Sequence, residues 1–284
     1  MTTYAVTGAS GSFGRLAIEA LIARGVAPID IVAIARTTDK VSDLATQGVV
    51  VRHGDYDEEA SLDTALAGVD RLLLVSSNEF GKRAEQHATV IAAAERAGVS
   101  HIAYTSILGA PTTSNPIAGE HVATEAALAQ SSIPTTLLRN SWYFENYTVQ
   151  IGQYSASGVI LGATQNAPIS AATRADYADA AAVALIAAEA GAVYELGGPT
   201  FTLTELAAAV SSATGAAVEH RDMTVPELAS AFESFGMEAG MASTFAGVDG
   251  SIARGELFTD SGDLETLMGR KPESLAAAVA QATH

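Results

Sequence analysis

Residues 3–14 read TYAVTGASGSFG, an apolar run that passes directly into Gly8, Gly11 and Gly14 at every third position. A bare three-glycine turn is weak evidence by itself, but its setting here is specific. The run predicts a first strand and FGRLAIEALIARG predicts the first helix, so the turn lies between them. Backbone N–H groups and the positive end of a helix meet there and can receive a pyrophosphate. One glycine permits the tight turn, a second lets a phosphate approach the backbone, and a third lets helix and sheet pack closely. The spacing is G-x-x-G-x-x-G, not G-x-G-x-x-G. A nucleophile elbow is excluded, because G-x-S-x-G needs a glycine where Ser12 stands.

The same alternation continues along the first half. Strands are predicted at 4–8, 31–35, 49–54, 71–77, 101–106 and 135–140, with helical patterns between them, several ending at glycine. Strands that are apolar throughout and separated by helices predict a parallel sheet covered on both faces. The expected fold is therefore α/β, a Rossmann-like doubly wound parallel sheet. Regularity weakens after residue 140. The segment PISAATRADYADAAAVALIAA predicts a strand, a turn and a helix capped near Asp176; VYEL (193–196) is one more strand, and short helices follow. We expect an NADP-binding domain over 1–140, with 168–196 returning to it, and a smaller, mostly helical lobe in 141–284.

Composition narrows the partners. The formal net charge is −17, which disfavours nucleic acid and anionic membrane as partners. There is no cysteine, which excludes disulfides, thiolate nucleophiles and Cys-ligated metal centres. No basic leader and no run of about 18 apolar residues is found, so a cytoplasmic location is expected. His53, His87 and His101 lack metal-ligand spacing, and no metal or flavin is expected.

The residue after the second strand selects the nucleotide. A free 2′-hydroxyl usually meets Asp or Glu there, whereas this chain has Arg36, with Lys40 four residues on. A guanidinium suits a 2′-phosphate, which favours NADPH over NADH. Asp55 and Tyr56 follow the third strand, where an adenine edge would lie, although Asp55 or Asp57 also suits a helix N-cap. Ser76 and Ser77 end the fourth strand on the edge where ligands bind.

TGASGSFG, VAIAR, VRHGDYDE, LLLVSSNEFGKRAEQH, HIAYTS, HVATE, TLLRNSWYFENY, ATRADYA and VYEL occur in an order that resembles the NmrA-like atypical short-chain dehydrogenases/reductases. SSNEFGKRAEQH and GELFTDS resemble the type 2 NAD(P)H:quinone oxidoreductases among them more than the triphenylmethane dye reductases. The resemblance implies NADPH held by Gly8, Ala9, Ser10, Gly11, Ser12 and Phe13, by Arg36, by Ser76–Ser77, and by Arg139, Asn140, Ser141, Trp142, Tyr143 and Phe144. It also implies a cofactor-side or cleft role for Arg174, which from the residues alone equally suits a surface pair with Asp176 or Asp179. The implied activity is NADPH-dependent quinone reduction. The alternatives are reduction of other planar electrophiles such as triphenylmethane dyes, and NADP(H) sensing without catalysis. A homodimer is left open.

One departure bears on the chemistry. No Tyr-x-x-x-Lys pair occurs, and the corresponding places hold Ile117 and His121. Ser106 remains without its usual partners. Such a pair protonates an alkoxide, but a quinone needs less help, and positioning its ring over the nicotinamide is expected to suffice. Trp142, Tyr143, Phe144 and Tyr147 are expected to form apolar walls, with Asn140 and Asn146 orienting the substrate. The same aromatics would equally serve to glue the two lobes together. His121, with an ordinary pKa near neutrality, is a candidate proton donor or a helix-surface residue.

Overall fold

The computed structural model describes residues 1–283. The first half alternates β1 (Tyr4–Val6), α1 (Ser12–Ala23), β2 (Ile31–Ala35), α2 (Ser42–Thr46), β3 (Val50–His53), α3 (Glu59–Leu66), β4 (Arg71–Leu74), α4 (Arg83–Ala97), β5 (His101–Ile107), α5 (Gly119–Gln130) and β6 (Thr135–Asn140). The second half continues with β7 (Trp142–Tyr143), α6 (Glu145–Thr148), α7 (Ile151–Ser157), β8 (Val159–Gly162), β9 (Ile169–Ala172), α8 (Arg174–Ala187), β10 (Val193–Leu196), β11 (Thr200–Phe201), α9 (Leu203–Thr214) and β12 (Glu219–Asp222). Helices α10 (Val225–Ser234), α11 (Ala239–Ala253), α12 (Asp263–Met268) and α13 (Leu275–Ala282) follow.

The seven-stranded sheet runs β10-β6-β5-β4-β1-β2-β3 with every neighbouring pair parallel. The order reverses between β1 and β4, and the crevice outside the carboxyl ends of these two strands is where such sheets bind ligands. Alternate strand residues face opposite layers. Val6 and Ala33 join Ile18, Leu21, Tyr177 and Ala181 on one face; Ala5, Val32 and Ile34 join Leu62, Leu66, Val90 and Tyr104 on the other. With both faces covered, uninterrupted apolar strands are the stable solution. The alanine-rich α8 keeps its side chains small where it lies against α1.

Short paired strands build the remainder: β11-β9-β7 form one sheet and β12-β8 another. A separate core of Phe144, Ile160, Ile169, Phe201, Leu206, Val210, Ile252 and Val279 lies beneath them. Thr202 and Thr224 begin α9 and α10 with reciprocal Thr/Glu capping boxes, and Thr173, not Asp176, caps α8. No helix among the described residues is long and apolar enough to cross a membrane.

Candidate active site

A cleft of about 610 Å³ opens at the β1/β4 reversal. Its floor is the glycine loop. Gly8 has φ +61°, a left-handed conformation that favours glycine, and its carbonyl accepts from the N–H of Gly11 at 2.9 Å. A Cβ on Gly14 would lie 2.4 Å from that carbonyl oxygen, so glycine there is what lets α1 approach the turn. Gly11 caps α1 without any side-chain hydrogen bond. The first-turn N–H groups are therefore open to an anion in the cleft.

Arg36 stands at the rim beyond β2, where its Nη1 donates to Glu79 Oε1 at 2.8 Å. Asp55 and Tyr56 line the same wall. Asp55 is not a helix cap: its carboxylate accepts from the N–H of Asp57, and Glu58 precedes α3. At the end of β4 the N–H of Ser76 donates to Thr105 Oγ1 and that of Ser77 to His87 Nε2. Both serines face the cleft.

The far end is built by β6, β7 and their neighbours. Asn140 is 4% exposed, lines the cleft, and has no protein partner for either Oδ1 or Nδ2. A buried amide ordinarily has partners, so these two atoms mark a position for a polar ligand group. Tyr143 packs edge-on against Tyr177 at 5.4 Å, and the Arg174 guanidinium lies 5.1 Å from the Tyr143 ring centre. Arg174 also donates to Asn146 Oδ1 at 3.2 Å. The surface alternative for Arg174 does not hold, because Asp176 pairs with Arg270 and Asp179 with Arg24 and Arg270.

Ile117 and His121 line the cleft opposite the glycine loop. His121 is 6% exposed and its Nδ1 lies 2.8 Å from the Tyr104 hydroxyl. It is not a helix-surface residue, and its pKa is not near neutrality. Burial, aided by the charge of Arg83 and by His87, lowers it to about 3. The expected ground for proton donation, a near-neutral pKa, is thereby overturned. Ser106 donates to Glu125 Oε1 at 2.5 Å, and Glu125 is held by two hydrogen bonds from Arg139.

Of the expected site residues, Gly8, Ser10, Gly11, Ser12, Phe13, Arg36, Asp55, Ser76, Ser77, Asn140, Ser141, Trp142, Tyr143, His121 and Arg174 meet in this one cleft. Five do not line it. Ala9 is fully buried beneath the loop. The turn at Thr38–Val41 carries Lys40, whose carbonyl oxygen accepts from Arg15. Arg139 is bound instead to Glu125 and Glu195. Phe144 is buried against Phe201 at 5.5 Å, and Tyr147 meets the same ring at 5.8 Å. Those two aromatics belong to the second core and do not form a wall. The walls include residues not anticipated from sequence: Phe80, Arg83, Asn115, Phe245 and Leu257. Arg83 and Asn115 are buried, each with one side-chain nitrogen lacking a hydrogen-bond partner, although Arg83 Nη1 lies 3.9 Å from Glu120 Oε2.

A doubly wound sheet with a glycine-loop cleft at its switch point makes this a Rossmann-like α/β protein. The model of the NmrA-like family matches residues 2–277, and the chain belongs to that family. It is 46% identical to quinone oxidoreductase 2 of Escherichia coli over 277 residues, covering 97% of this chain and 96% of that protein. The crystal structure of an NADPH-dependent quinone oxidoreductase from E. coli complexed with NADPH superposes with a TM-score of 0.96 at 44% identity, covering 99% of this chain and all of that one. The Citrobacter sp. triphenylmethane reductase complexed with NADP(H) follows at 0.91 and 35%, with 99% and 100% covered.

Proposed function

We propose that this protein reduces quinones by hydride transfer from NADPH. One observation carries the reading. A single cleft joins the open N-terminus of α1 and Arg36 at one end to an unpartnered Asn140 beside Trp142 and Tyr143 at the other. Its residues fit a dinucleotide: α1 and the Gly8–Phe13 loop would hold the pyrophosphate, Arg36 the 2′-phosphate, and Asn140 the polar edge of the nicotinamide end. When bound, the nicotinamide supplies the hydride.

The chain's own part is binding and orientation. Trp142, Tyr143, Ile117, Phe245 and Leu257 surround the far end with apolar surface that excludes water from a flat ring. Arg174, stacked on Tyr143 and tied to Asn146, stiffens that wall. No Tyr–Lys pair is present to protonate an alkoxide. A quinone suits this arrangement because the hydroquinone anion is far less basic, so proton delivery from water serves. In this reading residues 1–140, with 168–196, form the nucleotide-holding part, and the rest of 141–284 forms the substrate side.

The test is NADPH oxidation measured with a panel of benzoquinones and naphthoquinones, with triphenylmethane dyes in parallel and a blank without acceptor. Quinone-dependent oxidation exceeding that with the dyes is expected. Saturable NADPH binding with no acceptor-dependent turnover would replace the enzyme reading by a sensor.

A further inference from the structure

A row of rings runs through the cleft wall, Tyr56, His87, Tyr104 and His121, all buried but for the half-buried Tyr56, with successive centres 6.1, 5.4 and 6.0 Å apart. Its two ends line the cleft. The N–H of Ser77 donates to His87 Nε2 at 3.0 Å, so that nitrogen is an acceptor. The proton of neutral His87 is then on Nδ1, which donates to Thr124 Oγ1 at 2.9 Å. The Thr124 hydroxyl passes its own proton to the carbonyl of Glu120 at 2.8 Å. Every member of this branch is satisfied with one assignment.

The second branch is shorter. The Tyr104 side chain is fully buried, and its hydroxyl lies 2.8 Å from His121 Nδ1, with the Thr124 hydroxyl as its other neighbour. A buried hydroxyl proton needs an acceptor. Donation to Nδ1 supplies one and leaves the imidazole proton on Nε2. The reverse assignment would turn the phenol proton towards Thr124 Oγ1, which already accepts from His87 Nδ1 and gives its own proton to Glu120. His121 Nε2 has no protein partner and is not among the sealed polar atoms, so it opens onto the cleft.

We propose that His121 presents a fixed, uncharged Nε2–H to the cleft as a hydrogen-bond donor for the quinone carbonyl oxygen, with Tyr104 as the positioning residue that sets this tautomer. The proposal rests on the quinone-reductase reading. It assigns His121 a different task from acid catalysis. Burial keeps the ring neutral, and a neutral imidazole N–H is a very weak acid. It stabilises negative charge gathering on the carbonyl oxygen without surrendering a proton, as oxyanion donors do. It also selects acceptors: a quinone offers a carbonyl oxygen to Nε2–H, and a planar cation without such an oxygen does not.

The tautomer can be read without any turnover. Imidazole ¹⁵N shifts of the labelled protein at neutral pH should show His121 as Nε2–H, the signal being assigned by its loss in His121→Gln. Tyr104→Phe should convert it to a mixture of tautomers. In kinetics, His121→Ala should lower quinone kcat/KM by roughly 10- to 150-fold, the range for a hydrogen bond to a charged group, with NADPH affinity unchanged. His121→Gln, which keeps a donor, should recover part of the loss. An Nδ1–H or protonated His121 in the unmodified protein overturns the proposal, whether or not the alanine variant folds. So does undiminished kcat/KM in a folded His121→Ala protein. If the unmodified protein turns over no quinone, the reductase reading itself fails and the donor role falls with it.

Discussion

Arg36 and Glu79 close the rim of the cleft from opposite sides, Nη1 to Oε1 at 2.8 Å. Both side chains are well exposed, so the pair contributes at most about 1 kcal/mol. A 2′-phosphate carries more charge and more acceptor oxygens than Glu79 and should displace it. A charge-assisted hydrogen bond contributes about 1.5–3 kcal/mol, which is roughly 10- to 150-fold in affinity. Arg36→Ala should weaken NADPH by about that factor and leave NADH nearly unchanged, as titrations of both nucleotides will show. Equal losses would mean that Arg36 only supports the rim.

Glu79 then acts as a competitor. Glu79→Gln should free Arg36 and tighten NADPH up to about 5-fold, the most that an exposed ion pair can withhold. The effect on NADH should be smaller. Glu79 also accepts from Gln86 and donates its backbone N–H to Ser77 Oγ. Weaker NADPH binding in the glutamine variant would show that ordering this loop outweighs the competition.

The three loop glycines are not equivalent. Gly11 has φ −85°, open to any residue, and a Cβ there would sit 3.3 Å from the Gly8 carbonyl oxygen. Gly14 is different: its Cβ would meet three backbone atoms at 3.0 Å or less. Gly14→Ala should displace the loop, lower the melting temperature and abolish NADPH binding. Gly11→Ala should fold normally and lose affinity only. A Gly14→Ala protein with unchanged stability would contradict this account.

How much of this was legible in the sequence depends on whether the determinants are local. Gly8–Gly14 and the apolar strands carry their geometry within a few residues, and the doubly wound sheet could be read from them. The place of Arg36 at the cleft was legible because it directly follows the second strand. Lys40 was misplaced because the Thr38–Val41 turn interrupts the spacing. Trp142 and Phe144 looked alike in SWYFENY, but β7 ends at Tyr143, and the chain then turns Phe144 into the second core. Phe245 and Leu257 reach the cleft only through tertiary packing of α11 and the segment after it. Nothing local marks them. The low pKa of His121 is not legible because the burial that lowers it, and the charge effects of Arg83 and His87 that add to it, come from elements remote in sequence.

Acid should act through buried histidines and a buried carboxyl with opposite signs. Burial lowers His87 and His121 from 6.5 to about 3, so between those values the unfolded chain binds more protons. Their contribution is complete above 6.5 and is lost as the pH falls. Burial raises Asp249 from 3.8 to about 6, so its contribution is present below 3.8 and is lost as the pH rises through 6. Asp249→Asn removes only the second effect. Its melting temperature should exceed that of the unmodified protein at pH 7, and the gap should close towards pH 4. A gap that does not change with pH would rule out the ionised carboxylate as its source.

Asn140 offers the sharpest separation of function from stability. Its amide is buried at the cleft wall, and both polar atoms lack a protein partner. Such a group costs about 1–3 kcal/mol of stability while unpaired. If a ligand supplies the partners, the cost is recovered on binding and appears as affinity. Asn140→Ala removes the amide and opens space only towards the cleft. The melting temperature without nucleotide should hold or rise, while NADPH affinity and quinone turnover both fall. The shift in melting temperature produced by saturating NADPH should shrink as well, because linkage ties that shift to affinity. A variant that loses stability but keeps its NADPH-induced shift would make Asn140 a support for β6, and the nicotinamide end would then have to lie elsewhere.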